Sequence, residues 1–314
     1  MRAIRVHRFG GPEELVLEEV PRPQPAAGEV LVQVRAAGVL PIEWKVRQGL
    51  FAFPVTFPYT PGSAFAGVVA EVGPGVSRFA VGDAVFGRTT GGSYAEYTVT
   101  QAEPPALTPE TLSLLARKPD ALSFAQAATI SGGASTAWSA LFGDGELQAG
   151  QRVLIHGAAG GVGLFAVQFA RWKGAHVIAT ASAKHHAALR ALGVDTLIDY
   201  QTVPFEREVG EVDLVLDTIG GETLQRSMEV VRPGGTLISL LQPPDAALAE
   251  QRGIRAFKNR TLPTSADLEA IAQLISEGAV QAVVGRQFPL HQAAEAHRVS
   301  QTGHGYGRIV LLVE

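Results

Sequence analysis

The 314-residue chain contains no cysteine, so disulfides and every cysteine-ligated zinc site are excluded. No apolar run is long enough to span a bilayer. Cationic excess is also missing. The formal net charge is −4, so no basic field draws the protein to nucleic acid or to an anionic membrane surface. Met1-Arg-Ala-Ile-Arg-Val6 has the pattern of a first strand, not of a signal peptide, and a cytoplasmic location is expected. What is present is 46% hydrophobic and 18% charged, with 35 glycines and 19 prolines. That composition suits one large or two ordinary globular domains with ample core.

The stretch that organises the chain is Val153-Leu-Ile-His-Gly-Ala-Ala-Gly-Gly-Val-Gly163. An apolar strand runs into a turn of small residues. Leu164, Val167, Gln168 and Arg171 then recur at helical spacing until Gly174 stops the helix. Strand, small-residue turn and helix form the cradle for a dinucleotide pyrophosphate, with backbone N–H groups and a positive helix end aimed at the phosphates. Ala158 stands at the first glycine position of G-x-G-x-x-G, and Gly160 and Gly163 hold the other two. A second strand, Ala175-His-Val-Ile-Ala-Thr180, completes a β-α-β unit of the required length. The expected contacts are Ala159, Gly160, Gly161 and Val162.

An NAD-preferring fold carries Asp or Glu at the end of that second strand. Here Ala181 is followed by Ser182, Ala183 and Lys184. A hydroxyl and an ammonium would hold a 2′-phosphate that a carboxylate would repel, so NADPH is the expected cofactor. Two bland roles compete, Ser182 as a helix cap and Lys184 as a solvated lysine.

Residues 1 to about 100 alternate short apolar runs with Gly/Pro punctuation, predicting a compact β-rich domain. Strands are expected at 4–9, 15–20, 29–36, 65–72, 84–86 and 94–99. A helical turn is expected over 41–48, followed by an aromatic and proline-rich loop over 51–61. Pro104 to Pro109 is expected as a loop, and Thr108 as cap of a short helix through Leu115, with Pro109 at its first position. Ser123 to Phe142 predicts one or two helices broken at Ser131-Gly-Gly133. From Gln151 strands (152–157, 175–180, 195–198, 212–217, 235–240) alternate with helices (162–173, 184–192, 221–231), the pattern of a doubly wound parallel sheet. The tail predicts a helix over 265–277 capped by Ser265, a second over 290–300, and a final strand, 307–313, packing back on the first domain.

In one order the chain carries Gly28-Glu-Val-Leu-Val-Gln-Val, Pro61-Gly-Ser-Ala-Phe-Ala-Gly-Val-Val, Val81-Gly-Asp-Ala-Val, Gly92-Ser-Tyr-Ala-Glu-Tyr, the Ala158–Gly163 turn, Asp217-Thr-Ile-Gly-Gly221, Arg232-Pro-Gly-Gly-Thr-Leu237 and Gly307-Arg-Ile-Val. In this it resembles the zinc-independent quinone oxidoreductases, related to zeta-crystallin, of the medium-chain dehydrogenase/reductase superfamily. The resemblance implies an α/β chain with a discontinuous GroES-like β-rich catalytic domain (1–124 and 264–314) and a Rossmann NADP(H)-binding domain (125–263). It also implies a homodimer, formed near Gly253-Ile-Arg-Ala-Phe257. Thr136, Tyr200 and Arg308 match cofactor-contacting positions of the family. Arg308 could equally be a surface cation on its strand.

Zinc-dependent relatives need ligands near Gly38 and after Gly62, and a four-cysteine lobe. This chain has Ala36-Ala-Gly38 and Gly62-Ser-Ala64, and no lobe. None of its eight histidines has ligand partners at metal-binding spacing, so no metal is expected. His156 is expected to pack beside the cofactor turn. Without zinc, quinones and α,β-unsaturated carbonyls are the suitable hydride acceptors, since the added charge delocalises onto oxygen. No Ser-His-Asp pattern or G-x-S-x-G turn suggests hydrolysis. Where similar proteins commonly carry Asn, this chain has Leu40; Ala64 replaces a frequent acidic residue, and Ser131-Gly-Gly-Ala-Ser135 replaces a bulkier stretch. Lys45 and Tyr59 are the candidate polar groups near the nicotinamide, with helix-surface and loop-packing roles as their alternatives. The expected activity is NADPH-dependent reduction of a quinone or enone. A reductase of one specific enoyl or alkenal metabolite, and a non-catalytic NADPH-binding sensor, are the other readings.

Overall fold

The computed structural model describes residues 1–51, 54–103, 108 and 112–314. They form two compact units. One comprises 1–133, 264–277 and 282–314; the other comprises 134–263 and 278–281.

In the first unit β1 (Arg2–Arg5) and β2 (Val16–Glu19) form an antiparallel pair. β3 (Glu29–Val39) is the central strand of a larger sheet, and α1 (Pro41–Arg47) follows it directly. β4 (Ala64–Val72), β5 (Ala84–Arg88), β6 (Tyr97–Gln101) and β7 (Leu114–Arg117) follow, all antiparallel to their neighbours. Alternating Val30, Val32, Val34 on β3 face Phe65, Val69 and Val85 in one core. That is the period-2 burial expected of a curled antiparallel sheet. α2 (Phe124–Ala127) starts at Ser123, whose hydroxyl accepts from the Gln126 N–H.

In the second unit α3 (Ser135–Trp138) leads to β8 (Arg152–His156), α4 (Gly163–Lys173), β9 (His176–Thr180), α5 (His186–Ala191), β10 (Thr196–Ile198), α6 (Glu206–Val209), β11 (Val212–Asp217), α7 (Gly221–Ser227), β12 (Val231–Ser239), α8 (Ala246–Arg252) and β13 (Arg255–Lys258). The six strands are all parallel, in the order β10-β9-β8-β11-β12-β13. The chain reverses its direction of winding between β8 and β11, and in such sheets ligands bind at the carboxyl ends of those two strands. β13 pairs on one side only and forms the sheet edge.

The tail contributes α9 (Ser265–Ser276), β14 (Val284–Pro289), α10 (Ala293–Gln301) and β15 (Arg308–Leu312) to the first unit. β15 pairs antiparallel with β3 and parallel with β14, completing the seven-stranded sheet.

Several expectations need correction. Leu114 and Leu115 are strand residues, paired through β7 with Arg88 and Gly87 of β5. A short apolar run does not distinguish helix from strand, and here the free edge of β5 decides. Of the loop and helix expected before it, residues 104–107 and 109–111 lie outside the described residues, as do Ala52 and Phe53 of the aromatic loop. Thr264, not Ser265, caps α9: its hydroxyl accepts from the Asp267 N–H, and the Asp267 carboxylate accepts from the Thr264 N–H. The Ser265 hydroxyl accepts instead from the Leu115 N–H. β14, α6 and α8 went unpredicted; each is short, and β14 shows no apolar alternation.

Candidate functional site

The turn after β8 is shaped by two glycines. Gly157 has φ +69°, and a Cβ there would sit 2.3 Å from Thr218 Oγ1. Thr218 itself donates to the His156 carbonyl at 2.8 Å, tying together the carboxyl ends of β8 and β11. A Cβ on Gly163 would lie 2.3 Å from the Gly157 carbonyl oxygen, so α4 approaches the turn closer than any side chain permits. Gly160 donates to the Gly157 carbonyl. The N–H groups of Ala159, Gly161 and Val162 have no acceptor among the described residues, and α4 begins immediately behind them. Unclaimed donors at the start of an eleven-residue helix form an anion cradle.

At the end of β9, Ala181 is buried and the Ser182 hydroxyl lies 3.3 Å from the Tyr200 hydroxyl. Ser182 makes no capping bond to the short turn that follows. Lys184 is exposed on that turn, so these three side chains occupy one surface corner. Thr136 is half-buried on α3. His156 is buried, with Nδ1 2.9 Å from Thr180 Oγ1 and Nε2 2.9 Å from Ser227 Oγ. Ser227 spends its proton on the Thr223 carbonyl, so Nε2 must carry the ring hydrogen. Burial holds this imidazole neutral, with a pKa pushed down to about 3. Asp217 is buried and accepts from the N–H groups of Ile219 and Gly220, which shapes the loop after β11.

The first unit holds a second polar centre, built on Glu43. The carboxylate accepts from the Leu40 N–H at 2.8 Å, the Ser63 N–H at 3.0 Å, the Ser63 hydroxyl at 3.4 Å and the Tyr94 hydroxyl at 2.5 Å. Tyr94 Oη is 3.1 Å from His297 Nε2, and His297 Nδ1 accepts from Arg47 Nε at 3.4 Å. A guanidinium can only donate, so the direction of the chain is set: Arg47 to His297 to Tyr94 to Glu43. Burial raises the Glu43 pKa against the pull of its donors, and lowers that of His297 to about 3. Sequence reasoning missed this network, because its members are separated by up to 250 residues. Tyr94, within Gly92-Ser-Tyr-Ala-Glu-Tyr97, and Ser63, within Pro61-Gly-Ser-Ala-Phe-Ala-Gly-Val-Val, alone stood in quoted motifs.

Tyr59 is half-buried, and its hydroxyl has no hydrogen-bond partner. Burial pushes its pKa up to about 12. Lys45 is half-buried on α1, with Nζ 5.5 Å from the Trp44 ring centroid. Arg308 is buried and is no surface cation. It donates to the Gly132 carbonyl at 3.0 Å and to the Val39 carbonyl at 3.4 Å, and leaves Nε unpaired. Burial lowers its pKa to about 10. The helical run is broken where expected, at Ser131 and at Gly132 with φ +72°; a Cβ on Gly132 would meet Leu40 Cδ1 at 2.8 Å.

Two histidines do meet a carboxylate, His7 with Glu18 at 2.5 Å and His176 with Asp195 at 3.5 Å, both in solvent-accessible pairs. Among the described residues no group of three or more His, Asp or Glu side chains is placed to hold a metal ion, and no helix is long and apolar enough to cross a membrane.

Residues 26–110 match the family described as alcohol dehydrogenase GroES-like domain, and residues 192–311 the family described as zinc-binding dehydrogenase. The quinone oxidoreductase of Rattus norvegicus is 33% identical over 336 residues, spanning all of this chain and 98% of that protein. This chain belongs to the quinone oxidoreductase family of the medium-chain dehydrogenase/reductases. The quinone oxidoreductase of Coxiella burnetii superposes with a TM-score of 0.91 at 32% identity, covering 100% and 99% of the two chains. The Escherichia coli quinone oxidoreductase, solved in complex with NADPH, superposes with a TM-score of 0.89 at 27% identity over 99% and 100%. The family chain is an oxidoreductase carrying a GroES-like domain and a Rossmann sheet.

Proposed function

We propose that this oxidoreductase uses NADPH to reduce a quinone or an α,β-unsaturated carbonyl without zinc, as a cytoplasmic homodimer. The observation that carries the cofactor reading is the row of unclaimed N–H groups at Ala159, Gly161 and Val162, next to a strand end that bears no carboxylate. The Escherichia coli relative bound to NADPH supports the same reading. The turn fits a pyrophosphate: its donors are free, and Gly157 and Gly163 sit where any side chain would fill the cradle.

Ala159, Gly160, Gly161 and Val162 hold the pyrophosphate. Ser182 and Lys184 take the 2′-phosphate, with Tyr200 against the adenosine. Thr136 and the unpaired Nε of Arg308 are further cofactor contacts. Bound NADPH supplies a hydride equivalent. The substrate takes up that hydride and one proton, and its developing charge rests on oxygen. Tyr59, with a pKa near 12, keeps its proton at neutral pH and can donate a hydrogen bond to that oxygen, with Lys45 as the second candidate. A zinc-free reaction is supported by the missing cysteines and by the absence of a gathered ligand set among the described residues.

The test is NADPH oxidation with a panel of quinones and enones, with metal content measured on the same sample. Turnover unaffected by chelators is expected. Tight NADPH binding without turnover would replace the reading with a sensor. The dimer is proposed to form through the β13 edge, since an unpaired strand edge is normally covered. A monomer by light scattering would exclude it.

A further inference from the structure

The charges of Arg88 and Arg308 act on the Glu43 carboxylate, and that of Arg47 on its partner Tyr94. Glu43 cannot answer them. Its two oxygens already accept four hydrogen bonds, which is about the capacity of a carboxylate. Arg47 is engaged by the Gly10 carbonyl and His297, and Arg308 by two backbone carbonyls.

Arg88 is different. It ends β5, where its partner across the strand pair is Ala64, a side chain with no acceptor. It is half-buried, and its guanidinium has no hydrogen-bond or ion-pair partner among the described residues. Desolvation lowers its pKa. Beside the same sheet end, two buried donors are also unanswered. Ser131 Oγ is 1% exposed, and Arg308, 5% exposed, keeps Nε free. Arg308 bonds the carbonyl of Gly132, the residue after Ser131, which joins these two donors into one place. Buried donors without partners are costly, and a place that keeps them beside an unpaired guanidinium fits an anionic ligand.

We propose that Arg88 reads a carboxylate carried by the reducible substrate, with Ser131 supplying a further donor and Arg308, whose free Nε goes to the cofactor in the reading above, adding only its charge. A planar carboxylate matches the fork of a guanidinium, and the apolar Leu40 and Ala64 leave no competing acceptor. The inference rests on the reductase reading above, and Leu40, Ala64 and 131–135 are positions where this chain departs from similar proteins.

The test uses two near-isosteric enones, (E)-4-oxopent-2-enoate and (E)-4-oxopent-2-enamide, with wild type, Arg88→Met and Arg88→Lys. The quantity read is the acid-to-amide ratio of kcat/KM. Comparing that ratio between variants cancels the intrinsic difference in electrophilicity. Arg88→Met is expected to lower it about 10- to 150-fold, the range of a charge-assisted contact, and Arg88→Lys to restore part of it. NADPH affinity, measured on each variant, reports whether the fold is intact. An equal ratio in wild type and Arg88→Met overturns the proposal, as does a loss that strikes acid and amide alike. Wild type that binds NADPH and reduces a quinone but neither compound overturns the proposal alone, and wild type that binds NADPH but reduces neither a quinone nor either compound overturns the reductase reading with it.

Discussion

His156 and His297 are two buried histidines, one in each unit, both held neutral near a pKa of 3 and both bonded at each ring nitrogen. From His156 the hydrogen-bond chain passes through Ser227 to a backbone carbonyl and ends there. From His297 it passes through Tyr94 to a buried carboxylate. The difference extends to the units around them. Among the described residues the buried side-chain atoms without partners are Arg5 Nε, Trp44 Nε1, Arg47 Nη2, Tyr59 Oη, Ser131 Oγ and Arg308 Nε, and all belong to the first unit. The second unit satisfies its side chains and leaves backbone N–H groups open in the α4 turn. One unit is therefore prepared to meet a ligand through its main chain, which suits an invariant pyrophosphate. The other is prepared through side chains, which suits a particular substrate.

The largest effect that tests this contrast comes from removing a buried carboxylate in each unit. Glu43→Ala strands the Leu40 and Ser63 N–H groups and the Tyr94 hydroxyl in the interior, and should cost about 3–5 kcal/mol in urea unfolding. Asp144 accepts from Asn259, from the N–H of Arg260 and from Thr261, but Arg260 is exposed and its neighbours can turn to water. Asp144→Ala should cost about 1–3 kcal/mol. A larger loss for Asp144→Ala would break the contrast.

Next in size is the 2′-phosphate corner. A charge-assisted hydrogen bond contributes roughly 1.5–3 kcal/mol, or about 10- to 150-fold in affinity. Lys184→Ala should weaken NADPH by that factor and leave NADH nearly unchanged, as read by titration of both cofactors. Ala181→Asp should add repulsion and shift preference toward NADH. If Lys184→Ala weakens both cofactors equally, the phosphate contact belongs to another cation such as Arg190.

The two histidines give an effect that is absent at neutral pH and grows in acid. Each has a folded pKa depressed to about 3 from 6.5. The unfolded chain therefore binds more protons between those values. Their contribution is complete above pH 6.5 and is lost as pH falls toward 3, at about 1.4 kcal/mol per pH unit for each ring. His156→Phe and His297→Phe should each flatten the acid limb of stability against pH, whatever they cost at pH 7. An unchanged slope in either variant would mean that ring is not neutral in the folded state.

The same contrast explains what the sequence disclosed. The parallel sheet and the Gly157–Gly163 turn were legible because local rules govern them: burial period, and glycine where a Cβ collides. β7 was misread because three apolar residues, Leu114 to Ala116, carry no period, and the β5 edge settled their conformation. Glu43, Arg88 and His297 could not be seen. Their meaning depends on strand register, Arg88 opposite Ala64, and on contacts across 203 or 250 residues. Main-chain sites leave a sequence pattern, and side-chain sites of this kind do not.

The smallest effect on stability discriminates most finely, because it compares two tyrosines of one unit. Tyr94 Oη donates to Glu43 and receives from His297, whereas Tyr59 Oη is buried with no partner among the described residues. Tyr94→Phe leaves a carboxylate short of one donor and a ring N–H without an acceptor, so it should destabilise by about 1–3 kcal/mol. Tyr59→Phe removes a hydroxyl that the folded chain never satisfied. It should be neutral or stabilise by up to about 1 kcal/mol, because no hydrogen bond is broken and a desolvated polar group is lost. Its cost should appear in turnover instead. If Tyr59 donates to the substrate oxygen, kcat for enone reduction falls while NADPH affinity stays the same, and the fall is larger for kcat than for KM. A Tyr59→Phe protein with lower stability would mean that the hydroxyl has a structural partner. One with unchanged stability and unchanged kcat would leave Lys45 as the polar group at the reacting oxygen, and Lys45→Met would then have to carry the loss.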